Sequence, residues 1–201
     1  MRTQVVLAPG FWFPAAVLQL LARRLEKRGY ETRIFPYSGR KPHAANVEAL
    51  ARFASRNAHF VGHSLGGVLV LDMLNRHPEV QANAAVLLGA PVRGSLCGRR
   101  LGSAALGRWM LGECRSLWDE RPAPRWTRAA PLGVVAGTLP LGLGRALGRL
   151  PGVNDGVVCV EETTVEGMTE RALVREGHSM LVLSRRVGDL IDRFLHSGRF
   201  Q

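Results

Sequence analysis

AHFVGHSLGGVLVLDMLNRHP, residues 58–78, carries the densest structural signal in the chain. Residues 58–61 are short, apolar and β-compatible, and residues 65–77 repeat apolar side chains at helical spacing until Pro78 stops them. A strand therefore runs into a helix through Gly62-His63-Ser64-Leu65-Gly66, a G-x-S-x-G pattern. That setting is a nucleophile elbow. The turn is sharp enough to strain the backbone of Ser64, and a side chain at Gly62 or Gly66 would strike neighbouring chain. The helix N-terminus beneath Ser64 adds positive potential where an oxyanion would form.

The same alternation extends outward. Residues 4–8 form a β-rich run ended by Pro9-Gly10, and residues 15–28 place Leu18, Leu21 and Leu25 on one helical face before Gly29. Residues 32–37 predict a second strand, and residues 44–55 a helix with Val47, Leu50, Ala51 and Ala54 inward. Residues 84–88 are apolar throughout, as in a parallel strand covered on both faces. Strands alternating with helices predict a doubly wound, mostly parallel α/β sheet. Residues 91–131 are rich in Gly, Arg and Trp (Trp109, Trp118, Trp126) and read as a lid-like insertion whose tryptophans anchor a core or line an acyl pocket. Strands are expected again at 132–137, 157–160 and 171–174, then one helix over 179–195. No repeat or domain boundary interrupts residues 1–201, which predict a single domain.

The 201 residues are enough to bury a core without disulfides or metals. Cys97, Cys114 and Cys159 are odd in number and form no CxxC, so neither a disulfide framework nor a zinc ribbon is expected. The uncharged run over residues 129–144 is shorter than the roughly 20 residues of a spanning helix and is interrupted by Pro131 and Pro140. The opening MRTQVVLAPGF is too brief for a secretory h-region, which predicts a cytoplasmic protein. Net charge is +11, yet 25 of the 27 basic residues are Arg, no basic run exceeds two, and no aromatic platform interleaves them. Nucleic-acid binding is therefore not expected. The excess concentrates in residues 93–149, where ten Arg face Glu113, Asp119 and Glu120.

A serine hydroxyl needs a base held by an acid. In this class of sheet the chain order is Ser, acid, His. After Ser64 the histidines are His77, at the far end of the elbow helix; His196, in a polar tail; and His178, in a loop between a strand and an amphipathic helix. His178 fits the base. For the acid, Asp72 lies inside the elbow helix, Asp119 and Glu120 in the Arg/Trp segment, and Glu161 and Glu162 inside or after a strand. Asp155, in the turn Gly152-Val153-Asn154-Asp155-Gly156, precedes His178 by 23 residues and fits best.

GHSLGG at 62–67, NDGVV at 154–158 and GHSML at 177–181 together resemble the α/β-hydrolase superfamily, closest to compact bacterial esterases and lipases with a minimal cap. The resemblance spans almost the whole chain. It implies Ser64 as nucleophile, Asp155 as acid, His178 as base, and an oxyanion hole from the backbone N–H groups of Leu65 and Phe11. Pro9-Gly10 stands where that group usually has His-Gly, but only backbone donors are needed there. The implied chemistry is cofactor-free hydrolysis of a small-molecule carboxylic ester through an acyl-serine. Two alternatives stand beside it: a thioesterase or esterase acting on carrier-bound acyl chains, and a non-catalytic binding module on the same scaffold. The basic middle segment reads first as a solvated surface whose Arg content reflects coding bias; where it borders the site, an acidic carrier protein or an anionic lipid surface is the partner it would attract. A dinucleotide loop at Gly142-x-Gly144-x-x-x-Gly148 has too little chain after it, and His59 with His63 lacks a third metal ligand.

Overall fold

The computed structural model describes every residue except Met1, Pro14, Arg56, Leu143, Arg145 and Ala146. Part of the Gly142–Gly148 stretch and one arginine of the basic segment thus lie outside the described residues.

Six parallel strands form one sheet: β1 (Gln4–Ala8), β2 (Glu31–Ile34), β3 (Ala58–His63), β4 (Ala82–Leu88), β5 (Leu132–Gly137) and β6 (Glu170–Val174). Their spatial order is β2-β1-β3-β4-β5-β6, and every pairing is parallel. The expected doubly wound α/β architecture is what the chain adopts. β3 and β5 are buried along their whole length, because helices cover both faces.

Alternate side chains divide between the two faces. Val6, Ala8, Phe60, Ala85 and Leu87 pack against α2 (His43–Phe53) and α3 (Leu65–Arg76). Val5, Leu7, Val61, Val86 and Leu88 pack against α1 (Ala15–Glu26) and the C-terminal helices. This period-two division is why strands that look uniformly apolar in sequence serve two cores.

Strand order reverses between β1 and β3: the chain leaves β1 outward to β2 and returns inward to β3. In such sheets the crevice beyond the carboxyl ends at the reversal is where ligands bind. The loops after β1 and β3 carry Pro9-Gly10-Phe11 and Ser64 into that crevice.

Two expected elements come out differently. Residues 157–160 form no strand. The Val157 and Val158 N–H groups turn back on Asp155, an isolated antiparallel bridge joins Asn154 to Cys159, and a 3₁₀ turn follows over Val160–Thr163. The C-terminal helix breaks into α6 (Met180–Leu183) and α7 (Arg185–Ser197), since Ser184 takes extended backbone and accepts a hydrogen bond from the Val187 amide as N-cap. Gly198, left-handed, closes α7. Residues 91–131 contain α4 (Leu96–Ser103), α5 (Ala105–Leu111) and a 3₁₀ helix over Gly112–Trp118, without a strand among the described residues. Trp118 and Trp126 are buried in the core, as core anchors should be; Trp109 is exposed.

His59 on β3 is buried against the ring of Tyr30, and burial lowers its pKa to about 4. A histidine kept neutral in the fold but free to charge when unfolded leaves stability intact above its ordinary pKa of about 6.5. That stability drains as pH falls toward the folded value. We expect unfolding free energy to drop on going from pH 7 to pH 5, with His59 contributing about 1–2 kcal/mol. His59→Leu should flatten that slope in urea titrations at the two pH values; an unchanged slope would refute the assignment.

Candidate active site

The elbow is held by contacts that exclude any side chain. A Cβ built on Gly66 would stand 2.2 Å from the Ala8 carbonyl oxygen and 2.4 Å from that of Pro9. One on Gly62 would stand 2.5 Å from Gly66 O. The loop after β1 is therefore pressed directly onto the elbow. Ser64 sits between the two glycines at φ 52° and ψ −123°, a strained conformation for a residue with a side chain. Its amide donates to Leu88 O at 2.9 Å, which pins the elbow to the end of β4.

Ser64 caps α3, and Leu65 is the helix's first residue, so the Leu65 N–H belongs to the group of helical donors left without an intrahelical acceptor. Phe11 lies in the turn that follows Gly10. Gly10 touches the elbow: a Cβ there would be 3.1 Å from the Ser64 Cβ. The Tyr37 hydroxyl donates to Pro9 O at 2.8 Å and steadies this loop from the end of β2. Tyr37 is buried enough to hold its phenol well above the usual range.

Asp155 and His178, 23 positions apart in sequence, meet at 2.7 Å between Oδ2 and Nδ1. The His178 amide also donates to the Asp155 carbonyl at 3.0 Å. Asp155 Oδ1 accepts from the amides of Val157 at 3.0 Å and Val158 at 2.7 Å. Asp155 is 1% exposed, whereas Ser64 and His178, at 9% and 8%, just reach the surface. With Nδ1–H donated to the carboxylate, Nε2 of His178 is the ring's free acceptor.

His63 joins the two halves. It precedes Ser64, its ring centroid lies 4.8 Å from that of His178, and its Nε2–H donates to the His178 carbonyl at 3.1 Å. Burial, reinforced by the neighbouring His178, lowers its pKa to about 3, so it stays neutral across the working range. In sequence His63 reads as half of a metal pair with His59; its position beside Ser64 is the one clue to its observed neighbour.

The other carboxylates are engaged elsewhere. Asp72 pairs with His43 at 2.7 Å. Glu162 bridges the Leu96 and Cys159 amides, at 2.6 and 2.8 Å, and burial raises its pKa. Arg93–Glu161 and Arg99–Glu120 are long, exposed pairs. A cavity of about 390 Å³ opens beside the site, lined by Gly10, Phe11, Trp12, Phe13, Arg40 and Met110 among others.

A parallel α/β sheet with a strained serine elbow and a buried Asp–His pair at the carboxyl ends of its strands defines a hydrolase-type scaffold. The chain belongs to the alpha/beta hydrolase family, whose pattern it matches over residues 5–193. No curated protein matches its sequence. Among solved structures it is similar to the mature Bacillus licheniformis lipase BlEst2, with a TM-score of 0.72 and 19% identity over 97% of this chain and 91% of that one. It also resembles the type II thioesterase BorB from the borrelidin biosynthetic cluster (TM-score 0.67, 17% identity, 98% and 92% covered). A third likeness is to naproxen esterase, carboxylesterase NP, from Bacillus subtilis (TM-score 0.62, 14% identity, 96% and 83% covered). At these identities the likeness is one of fold.

The packing at Gly66 gives a direct expectation. Gly66→Ala must push the β1 loop off the elbow, costing roughly 1–3 kcal/mol as overpacking against backbone does. A chemical-denaturation midpoint equal to the parent's would contradict the contact.

Proposed function

We propose that this protein is a serine hydrolase that cleaves carboxylic esters through an acyl-Ser64 intermediate. The observation that carries the reading is the buried, short Asp155–His178 hydrogen bond, linked through His63 to a serine strained into an elbow. Ser64 Oγ attacks the ester carbonyl carbon while its proton passes to His178 Nε2. The developing oxyanion is held by the N–H groups of Leu65 and Phe11, helped by the N-terminus of α3. Collapse breaks the C–O bond, and the departing alkoxide takes the proton from Nε2. Water then attacks the acyl-serine, gives its proton to His178, and the acid leaves as Ser64 recovers its hydrogen. Asp155 fixes the tautomer and balances the imidazolium. His63, neutral throughout, holds the His178 backbone and takes no proton. No step calls for a cofactor.

Residues 91–131 act in this reading as a minimal lid over a single domain, and the 390 Å³ cavity beside Phe11 receives one arm of the ester. A thioester on a carrier protein draws its support from the basic character of residues 93–149. That support is thinner than the charge count. Arg99 donates to Trp118 O and pairs with Glu120, and Arg100 donates to the carbonyls of Leu147 and Arg149. Part of the charge therefore ties the segment together.

Turnover of p-nitrophenyl esters tests the roles. Ser64→Ala should abolish it with the fold intact, and Asp155→Asn should lower kcat by about 10³–10⁴ by favouring the wrong imidazole tautomer. Glu162→Gln should cost less than about tenfold, because Glu162 carries no proton to or from the reacting atoms. Near-parental turnover in Ser64→Ala, or the large loss at Glu162, would sink the assignment.

A further inference from the structure

α5 has two apolar faces and only one of them is covered. Gly107 and Leu111 turn inward, while Leu106, Trp109 and Met110, at i, i+3 and i+4, face out with exposures of 68, 65 and 36%. Trp12, 56% exposed, extends this surface from the loop after β1. It and Met110 both border the 390 Å³ cavity that contains Gly10 and Phe11. The uncovered face is thus continuous with the mouth of the proposed site.

Cations frame it. The Arg40 guanidinium lies over the Trp109 ring at 5.2 Å, Lys41 follows it exposed, and Arg108, exposed at the flank of α5, donates to the Ser103 carbonyl at 2.9 Å. None of the three is in an ion pair among the described residues. Tryptophan and leucine beside long cationic stems form the composition that settles at the headgroup layer of a bilayer, rings at acyl depth and charges on phosphate. An acidic carrier helix would match the cations but leave the large apolar centre without a counterpart.

We infer that the α5 face, with Trp12, docks this protein on an anionic phospholipid surface. Docking needs no catalysis. Its consequence, delivery of a lipid ester into the cavity beside Phe11 without crossing water, rests on the serine-hydrolase reading.

The test is sedimentation of the Ser64→Ala protein with sucrose-loaded vesicles, so that binding is read without lipid turnover and stands or falls apart from the triad. Vesicles of equal phosphatidylglycerol and phosphatidylcholine should bind at least about tenfold better than phosphatidylcholine alone, and about 0.5 M NaCl should remove most of that advantage. A protein of net charge +11 would show this much through charge alone. The deciding variants therefore separate the two ingredients. Leu106→Ser with Trp109→Ser leaves the charge untouched and should weaken binding to the mixed vesicles about tenfold. The same pair should keep the parent's circular-dichroism spectrum and urea midpoint, which establishes that it folds. Arg40→Gln, Lys41→Gln and Arg108→Gln together should remove the preference for phosphatidylglycerol. Arg185→Gln, Arg186→Gln and Arg193→Gln on α7, an equal loss of charge, should retain it. Absence of vesicle binding, binding indifferent to the Leu106/Trp109 pair, or equal effects of the two triple substitutions would overturn the inference. So would capture of a purified acyl carrier protein by a chain that ignores both vesicles.

Discussion

The Asp155 carboxylate is the interaction on which the site's geometry hangs. One oxygen takes the Val157 and Val158 amides, the other takes the His178 ring, and the Asp155 carbonyl takes the His178 amide. A buried carboxylate survives only where its hydrogen bonds replace water, and here three donors do so. Removing it would leave several buried donors unpaired, each at about 1–3 kcal/mol. The loop after β5 and the loop after β6 are thereby fastened to one another through a single side chain. The orientation of the His178 ring is a product of that fastening.

The elbow supplies the second half by different means. Its strain is maintained by packing, with Gly62 and Gly66 letting backbone approach backbone where any side chain would intrude. The reversal of strand order between β1 and β3 brings the Phe11 loop against the same turn, so that the two proposed oxyanion donors come from either side of the crevice. His63 then couples the halves, since it is fixed in the chain next to Ser64 and hydrogen-bonded to the His178 backbone. A buried neutral imidazole suits that position: it donates once, and it carries no charge that would compete with the imidazolium of the proposed cycle.

Much of this was legible because the sequence is locally consistent. The apolar runs of β1, β3, β4 and β5 and the glycines around Ser64 each obey one steric or burial rule, and the rules agree. The Asn154-Asp155-Gly156 turn was legible for the same reason. Residues 157–160 misled because β-branched residues usually seek a sheet, and nothing local reveals that a carboxylate two residues earlier captures their amides. The break at Ser184 was hidden under unbroken apolar periodicity. Tyr37 and His63 were opaque as positioning groups, since their partners are backbone carbonyls 28 and 115 residues away. Residue type alone leaves Trp109 as core anchor or pocket wall; its place on a short helix with a second, outward apolar face explains its exposure.

In the proposed mechanism Ser64 is chemically activated by its surroundings. A fluorophosphonate forms a stable adduct only with an activated serine, so intact-mass and peptide mass spectrometry after such treatment reads that activation. One adduct per chain is expected, on the peptide containing Ser64, with labelling slowed when His178 is replaced by Ala. An unlabelled native chain, or an adduct on another serine, would contradict it.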